Sequence, residues 1–148
     1  MSNFARSGHR SRHNRLYWTD APYLGLGPSA HGYRPDGSRY ANVRDVVRYL
    51  DQADPTVEDE LPTPKQAALD LLISALRSVD GVPHTALTAL GLAPDARLVR
   101  ALVDANLLLD DPAALRLSYD GFALADGLAE RLWDGLTPIR GFTDAPAS

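Results

Sequence analysis

The 148-residue sequence contains no cysteine and one methionine. Without thiols there can be no disulfide, no thiolate zinc site and no iron–sulfur cluster held by this stretch of chain. No apolar run approaches the roughly 20 residues needed to cross a bilayer, so no membrane span is expected. Basic residues are outnumbered, 15 Lys and Arg against 19 Asp and Glu, which gives a net charge of −4 and a pI near 5.4. Such a balance disfavours binding to nucleic acid or to an anionic membrane, because phosphate contacts need clustered cations. The first fifteen residues are basic and polar and lack the apolar stretch of a signal peptide. The expectation is a cytoplasmic chain with no nucleic-acid partner. What is present is globular: 45% hydrophobic and 23% charged, enough to bury roughly 60–70% of the unfolded surface at this length.

Tyr23-Leu24-Gly25-Leu26 followed by Gly27-Pro28 reads as a buried strand running into a loop, its glycines marking a close backbone approach. Pro35-Asp36-Gly37 is a turn between Gly32-Tyr33-Arg34 and Ser38-Arg39-Tyr40, giving a hairpin. Asn42 has the chemistry of an N-cap, with Val43, Val46, Val47 and Leu50 following at helical spacing. The acidic, proline-bearing stretch 54–62 reads as a linker. Thr63, Pro64 and Gln66 then form a capping-box start to a helix with Leu69, Leu72, Ile73 and Leu76 inward. A short helix is expected around Thr85–Leu90. Another opens at Pro94, buries Leu98, Val99, Leu102 and Val103, and stops at Asn106. Leu107–Leu109 and Leu115–Leu117 flank Asp110-Asp111-Pro112 as a β-hairpin or wing. Ser118 caps a last helix carrying Phe122, Ala125, Leu128, Leu132 and Trp133. The expected fold class is α+β, with a mainly helical, winged-helix-like lobe over 63–135 and a flexible tail over 136–148.

Three strings carry a resemblance. They are Ser2-Asn3-Phe4-Ala5-Arg6, His13-Asn14-Arg15-Leu16-Tyr17-Trp18 (the pattern H-N-x-x-Y-W), and Tyr23-Leu24-Gly25-Leu26-Gly27-Pro28-Ser29-Ala30-His31-Gly32. In this order and spacing the chain resembles the HemW branch of the oxygen-independent coproporphyrinogen III oxidase-like radical-SAM proteins. The stretch from Leu61 to Val82 is similar to the start of that family's HemN-type C-terminal domain. The resemblance implies that 1–53 is the C-terminal remnant of a partial (β/α) barrel. In the family that barrel holds a [4Fe–4S] cluster and S-adenosylmethionine through a C-x-x-x-C-x-x-C motif, which is absent here. In relatives the Ser-Asn-Phe-Ala string lies inside a barrel strand, and Met1 falls on an apolar strand position. A C-terminal fragment, not catalytic alone, is therefore expected, working with an N-terminal radical-SAM chain or a heme-receiving protein.

The resemblance also implies site residues. His13, Asn14, Tyr17 and Trp18 become a heme-binding string, with His13 the candidate iron ligand. Gly27, Ala30 and His31 fall in the vicinity of S-adenosylmethionine. On residue chemistry alone His13 is more often a loop histidine, and a lone G-x-G is more often a tight turn. His9 and His84 read as surface residues. Asp110-Asp111 and Glu58-Asp59-Glu60 read as solvated charge rather than catalytic pairs. Arg97 and Arg100 are offset by Asp95 and Asp104, and acid at the wing tip would repel phosphate. The alternative to the heme-related reading is a non-catalytic protein-interaction module. Because 1–53 would have evolved against absent barrel strands, it is expected to be much less stable than 63–133.

Overall fold

The structure, a computed structural model, describes residues 5–6, 9–11 and 22–142. Their contacts divide into two compact units, one within Asp20–Thr63 and the other made of Pro64–Pro146 with the described residues before Asp20. Arg10, placed by sequence reading with the first lobe, groups instead with the second, where its guanidinium pairs with Asp80 at 2.7 Å.

The first unit is a three-stranded antiparallel sheet in the order β1 (His31–Tyr33), β2 (Arg39–Asn42), β3 (Thr56–Glu60). The hairpin lies where Pro35-Asp36-Gly37 places it, with Tyr33 opposite Arg39. Gly37 has φ +85°, a conformation that a Cβ would strain. The Asp36 carboxylate accepts the Ser38 N–H at 2.9 Å and the Ser38 hydroxyl at 2.7 Å. The backbone N–H, then the hydroxyl, hold its pKa below the usual carboxylate value.

Three expectations for this unit are corrected. Asn42 is not an N-cap: it ends β2 and is buried, and Asp45 caps the six-residue helix α1 (Val46–Asp51) by accepting the Arg48 N–H at 2.8 Å. The stretch 54–62 is not a bare linker, since β3 pairs along β2 from Glu60 opposite Arg39 to Thr56 opposite Asn42. Acidic residues are poor strand formers, yet they suit an edge, where charge discourages further pairing. Finally, Leu24 and Leu26 are 79% and 82% exposed rather than buried. The segment is extended and alternating, so that Tyr23, Gly25 and Gly27 are half-buried while the leucines point out.

The second unit holds the apolar core. Helix α2 (Pro64–Ala75) starts at the expected proline and buries Ala68, Leu71, Leu72 and Ala75. That stripe is rotated from the expected one, and Leu69 and Ile73 are only half-buried. Strand β4 (Val82–Pro83) leads into α3 (His84–Ala89). Pro94 ends a strand, β5 (Leu92–Pro94), rather than opening a helix; Asp95 caps α4 (Ala96–Asp104) through the N–H groups of Arg97 and Leu98. Asn106 takes φ +56° as expected after α4. The two arms of the expected hairpin meet through a Leu108–Leu117 bridge and a Leu109 N–H to Arg116 carbonyl bond of 2.8 Å. The strand β6 (Ala114–Leu115), however, pairs with β4.

Ser118 is the expected cap. Its hydroxyl oxygen accepts the Gly121 N–H at 3.0 Å, and its O–H donates to the Asn106 carbonyl at 2.5 Å. The last helix is broken into α5 (Tyr119–Phe122) and α6 (Ala125–Asp134). The tail is also corrected in part. Leu136–Pro138 forms β7, which pairs antiparallel with β5 and buries Leu136. Sixteen buried residues between Ala68 and Leu136 form one cluster, including Leu72, Leu76, Leu87 and Leu132 at 0% exposure. At about 1.5–3 kcal/mol for each fully buried large side chain, this cluster dominates the unit's stability.

Candidate functional site

The chemistry expected of Gly27, Ala30 and His31 converges on one loop. The approach to it is fixed by a reciprocal pair of backbone bonds, Tyr23 N–H to Tyr33 carbonyl and Tyr33 N–H to Tyr23 carbonyl, each 2.9 Å. Gly25 then passes directly over β1, where an added Cβ would overlap the His31 carbonyl. The close approach expected of this glycine is therefore to another strand. Gly32 lies flat against the Tyr40 ring, which a Cβ would also overlap. The Arg34 guanidinium covers that ring at 4.5 Å from its centroid.

The loop's polar backbone is satisfied from within. The Tyr40 hydroxyl accepts the Gly25 N–H and the Tyr49 hydroxyl accepts the Gly27 N–H, each at 3.0 Å. Asn42 Nδ2 donates to the carbonyls of both Gly25 and Gly27, again at 3.0 Å. Ser29 N–H reaches the Val43 carbonyl at 3.1 Å and Ala30 N–H the Gly27 carbonyl at 3.2 Å. Gly27 has φ +103° and Ser29 φ +59°. Gly27 and its two chain neighbours apart, no described residue has a heavy atom within 4 Å of where a Gly27 Cβ would sit. The result is a held, outward crest from Gly27 to His31, with an exposed His31 and open space over Gly27.

This crest presents backbone and one imidazole. It carries no carboxylate, and no cluster of His, Asp and Glu suited to a metal exists among the described residues. The open space over Gly27 fits close approach of a ligand's surface. A cluster does not fit this chain, because it supplies no thiolate. His13, Asn14, Tyr17 and Trp18 lie outside the described residues. Tyr40, Asn42 and Tyr49, the side chains that hold the crest, were missed by sequence reading. Their signal was weak: two tyrosines and an asparagine beyond a glycine-rich string look like ordinary strand and helix positions.

The charged pairs are structural. Asp111 accepts the Ala113 N–H at 2.8 Å and meets Arg116 at 3.1 Å. Those contacts, the backbone N–H first, lower its pKa. Arg100 lies 3.6 Å from Asp104 and 3.7 Å from Asp110. Within the second unit an open groove of about 580 Å³ is lined by Arg77, Leu107, Phe122, Leu124, Asp126 and Arg131, among others, with Arg77 and Asp126 paired across it at 2.5 Å. No helix of the described residues is long and apolar enough to cross a membrane.

No protein-family model matches the chain. Curated relatives do. The heme chaperone HemW of Synechocystis is 32% identical over 69% of this chain and 26% of its own length. The mitochondrial radical S-adenosyl methionine domain-containing protein 1 of Bos taurus is 30% identical over 93% of this chain and 37% of its own. Coproporphyrinogen III oxidase (HemN) of Escherichia coli, a radical-SAM enzyme, superposes with a TM-score of 0.47 at 14% identity, over 78% of this chain and 29% of that one, a likeness too loose to carry structural argument. The chain thus spans only about a quarter to just over a third of the length of the curated relatives it matches. Over that partial span, it belongs to the HemW-like radical S-adenosylmethionine family.

Proposed function

We propose that this chain is the C-terminal portion of a HemW-like protein of heme metabolism, acting only together with a cluster-bearing radical-SAM part. The observation that carries the reading is the extent of the similarity: 93% of the chain aligns with a protein named for its radical-SAM domain. On this reading the unit within Asp20–Thr63 is the last piece of a partial (β/α) barrel. The Gly27–His31 crest forms one wall of the S-adenosylmethionine site, where its open backbone admits close contact. The cluster and its chemistry come from the other part, since this stretch has no cysteine to offer. The string His13-Asn14-Arg15-Leu16-Tyr17-Trp18 supplies heme contact, with His13 as the iron ligand and the two aromatics against the porphyrin. Location is cytoplasmic, and the expected partners are the N-terminal radical-SAM chain and a heme-receiving protein.

The test is a heme titration of the purified chain beside a His13→Ala variant. A Soret shift present in the first and absent in the second supports heme binding at His13. Equal spectra in both would remove that residue from the site. Reconstitution with a cysteine-bearing N-terminal half then asks whether S-adenosylmethionine is bound and whether Gly27→Val weakens it.

One observation favours a second reading, a non-catalytic winged-helix-like interaction module. The unit within Pro64–Pro146 encloses its own core and presents the open groove beside an exposed Leu124. Its helix order, with the wing arms bridged at Leu108 and Leu117, supports the winged-helix description. Pairing of Arg100 with two aspartates supports a protein rather than a nucleic-acid partner. No Soret change, with a specific partner recovered through variants of Leu124, would favour this reading over the first.

A further inference from the structure

We infer that Asn42 is the positioning residue of the Gly27–His31 crest, holding it in one conformation through a two-pronged amide clamp. The inference rests on the reading of that crest as a ligand-facing wall and names the residue that sets its shape. Asn42 is 4% exposed. Both protons of its amide are committed, one to the Gly25 carbonyl and one to the Gly27 carbonyl. Its own backbone N–H donates to the Ala30 carbonyl at 2.9 Å. One residue thus grips the crest at three positions, before and after its left-handed corner.

The strand itself is shaped for this. A regular strand alternates inward and outward side chains, yet Ala41, Asn42 and Val43 are all buried. The register slips between Ala41 and Asn42, where Ala41 faces Glu58 and Asn42 faces Thr56. The extra residue of this bulge is Val57 on β3, and opposite it Asn42, the last residue of β2, directs its amide to the glycine loop. The chemistry demands an amide. A carboxylate there would set two anionic oxygens against two carbonyl oxygens, and an aliphatic side chain would leave both carbonyls unmet.

The experiment measures amide-exchange protection factors in the 148-residue chain for Gly25, Gly27, Ser29 and Ala30, with Tyr33 and Gly37 of the hairpin as internal controls. Asn42→Ala is expected to cut loop protection about tenfold at any pH while the hairpin amides hold. Asn42→Asp is expected to show the same loss at neutral pH. It should recover part of the loss in acid, because the protonated carboxyl regains one donor and the facing carbonyls favour that form. A role limited to filling space would not produce that pH profile. Unchanged loop protection in both variants overturns the inference. So does equal loss in loop and hairpin, which would make Asn42 a general core residue. Should Asn42→Ala not fold, the pH response of Asn42→Asp decides alone. S-adenosylmethionine binding by the reconstituted pair is read separately: its absence in the unsubstituted protein defeats the ligand reading and leaves the exchange result standing.

Discussion

The two units of this chain reach order by different chemistry. The unit within Pro64–Pro146 closes around leucine, with sixteen buried apolar residues in one cluster. The unit within Asp20–Thr63 buries only Ala41 and Val43 among its described hydrophobic residues, beside the polar Ser38 and Asn42. Its shape is kept by hydroxyls and an amide aimed at backbone: Tyr40, Tyr49 and Asn42 on the glycine loop. Meanwhile Val46, Val47 and Leu50 on α1 stand 58%, 66% and 74% exposed. Hydrogen bonds each add a modest net stabilisation, about 0.5–1.5 kcal/mol, whereas apolar burial accumulates with area. A unit built mostly on the former is expected to unfold at a lower stability than one built on the latter.

The contrast can be pressed hardest in the leucine core. Leu72→Ala should cost roughly 2–5 kcal/mol, the usual range for a fully buried leucine, and calorimetry should show it in the transition of the second unit alone. Next is Gly25→Ala, whose added methyl meets the His31 carbonyl. A loss of about 1–3 kcal/mol is expected, confined to amide protection in the first unit. If it spread equally to α2 and α6, the division into two units would fail. Tyr49→Phe removes the acceptor for the Gly27 N–H and should lower protection of that amide by about 0.5–1.5 kcal/mol.

Acid should act on both units through one device. The carboxyls of Asp36 and Asp111 each lie below the usual 3.8, held there first by a backbone N–H. Each adds stability that is complete above pH 3.8 and is lost as pH falls through its lower folded value. Carboxyl NMR titrations should therefore give midpoints under 3.8 at both turns. The smallest effect belongs to Leu50→Lys, expected within about 0.5 kcal/mol in this chain because the side chain already faces water. A large destabilisation there would reveal a cover over α1 and blunt the contrast between the units.

Sequence reading succeeded where one residue carries a local physical signal. Pro64 began a helix, Ser118 capped one, Gly37 turned a hairpin and Asn106 took the left-handed corner. It failed where tertiary pairing decided. Thr56–Glu60 has a linker's composition and becomes a strand only because β2 offers an edge. Leu136–Pro138 looked like tail because its partner β5 lies more than forty residues earlier. Leu24 and Leu26 are apolar yet exposed, because apolarity alone does not fix which way the alternation of an extended segment points. The candidate crest was legible as a glycine string. The clamp on it was not, because the Asn42 amide meets carbonyls fifteen and seventeen residues earlier in the chain, a tertiary pairing that no local pattern announces.

The pairing of β5 with β7 also bears on the order in which the second unit can form. Leu136 completes the same apolar cluster to which its strand neighbour Leu92 belongs. A ribosome that has released only the chain up to α4 therefore leaves Leu92 and its neighbours without their final partner. The nascent unit must wait, with greasy surface uncovered, until the strand after α6 emerges. Until then that surface is open to wrong contacts, the ordinary hazard of a core closed by its last strand.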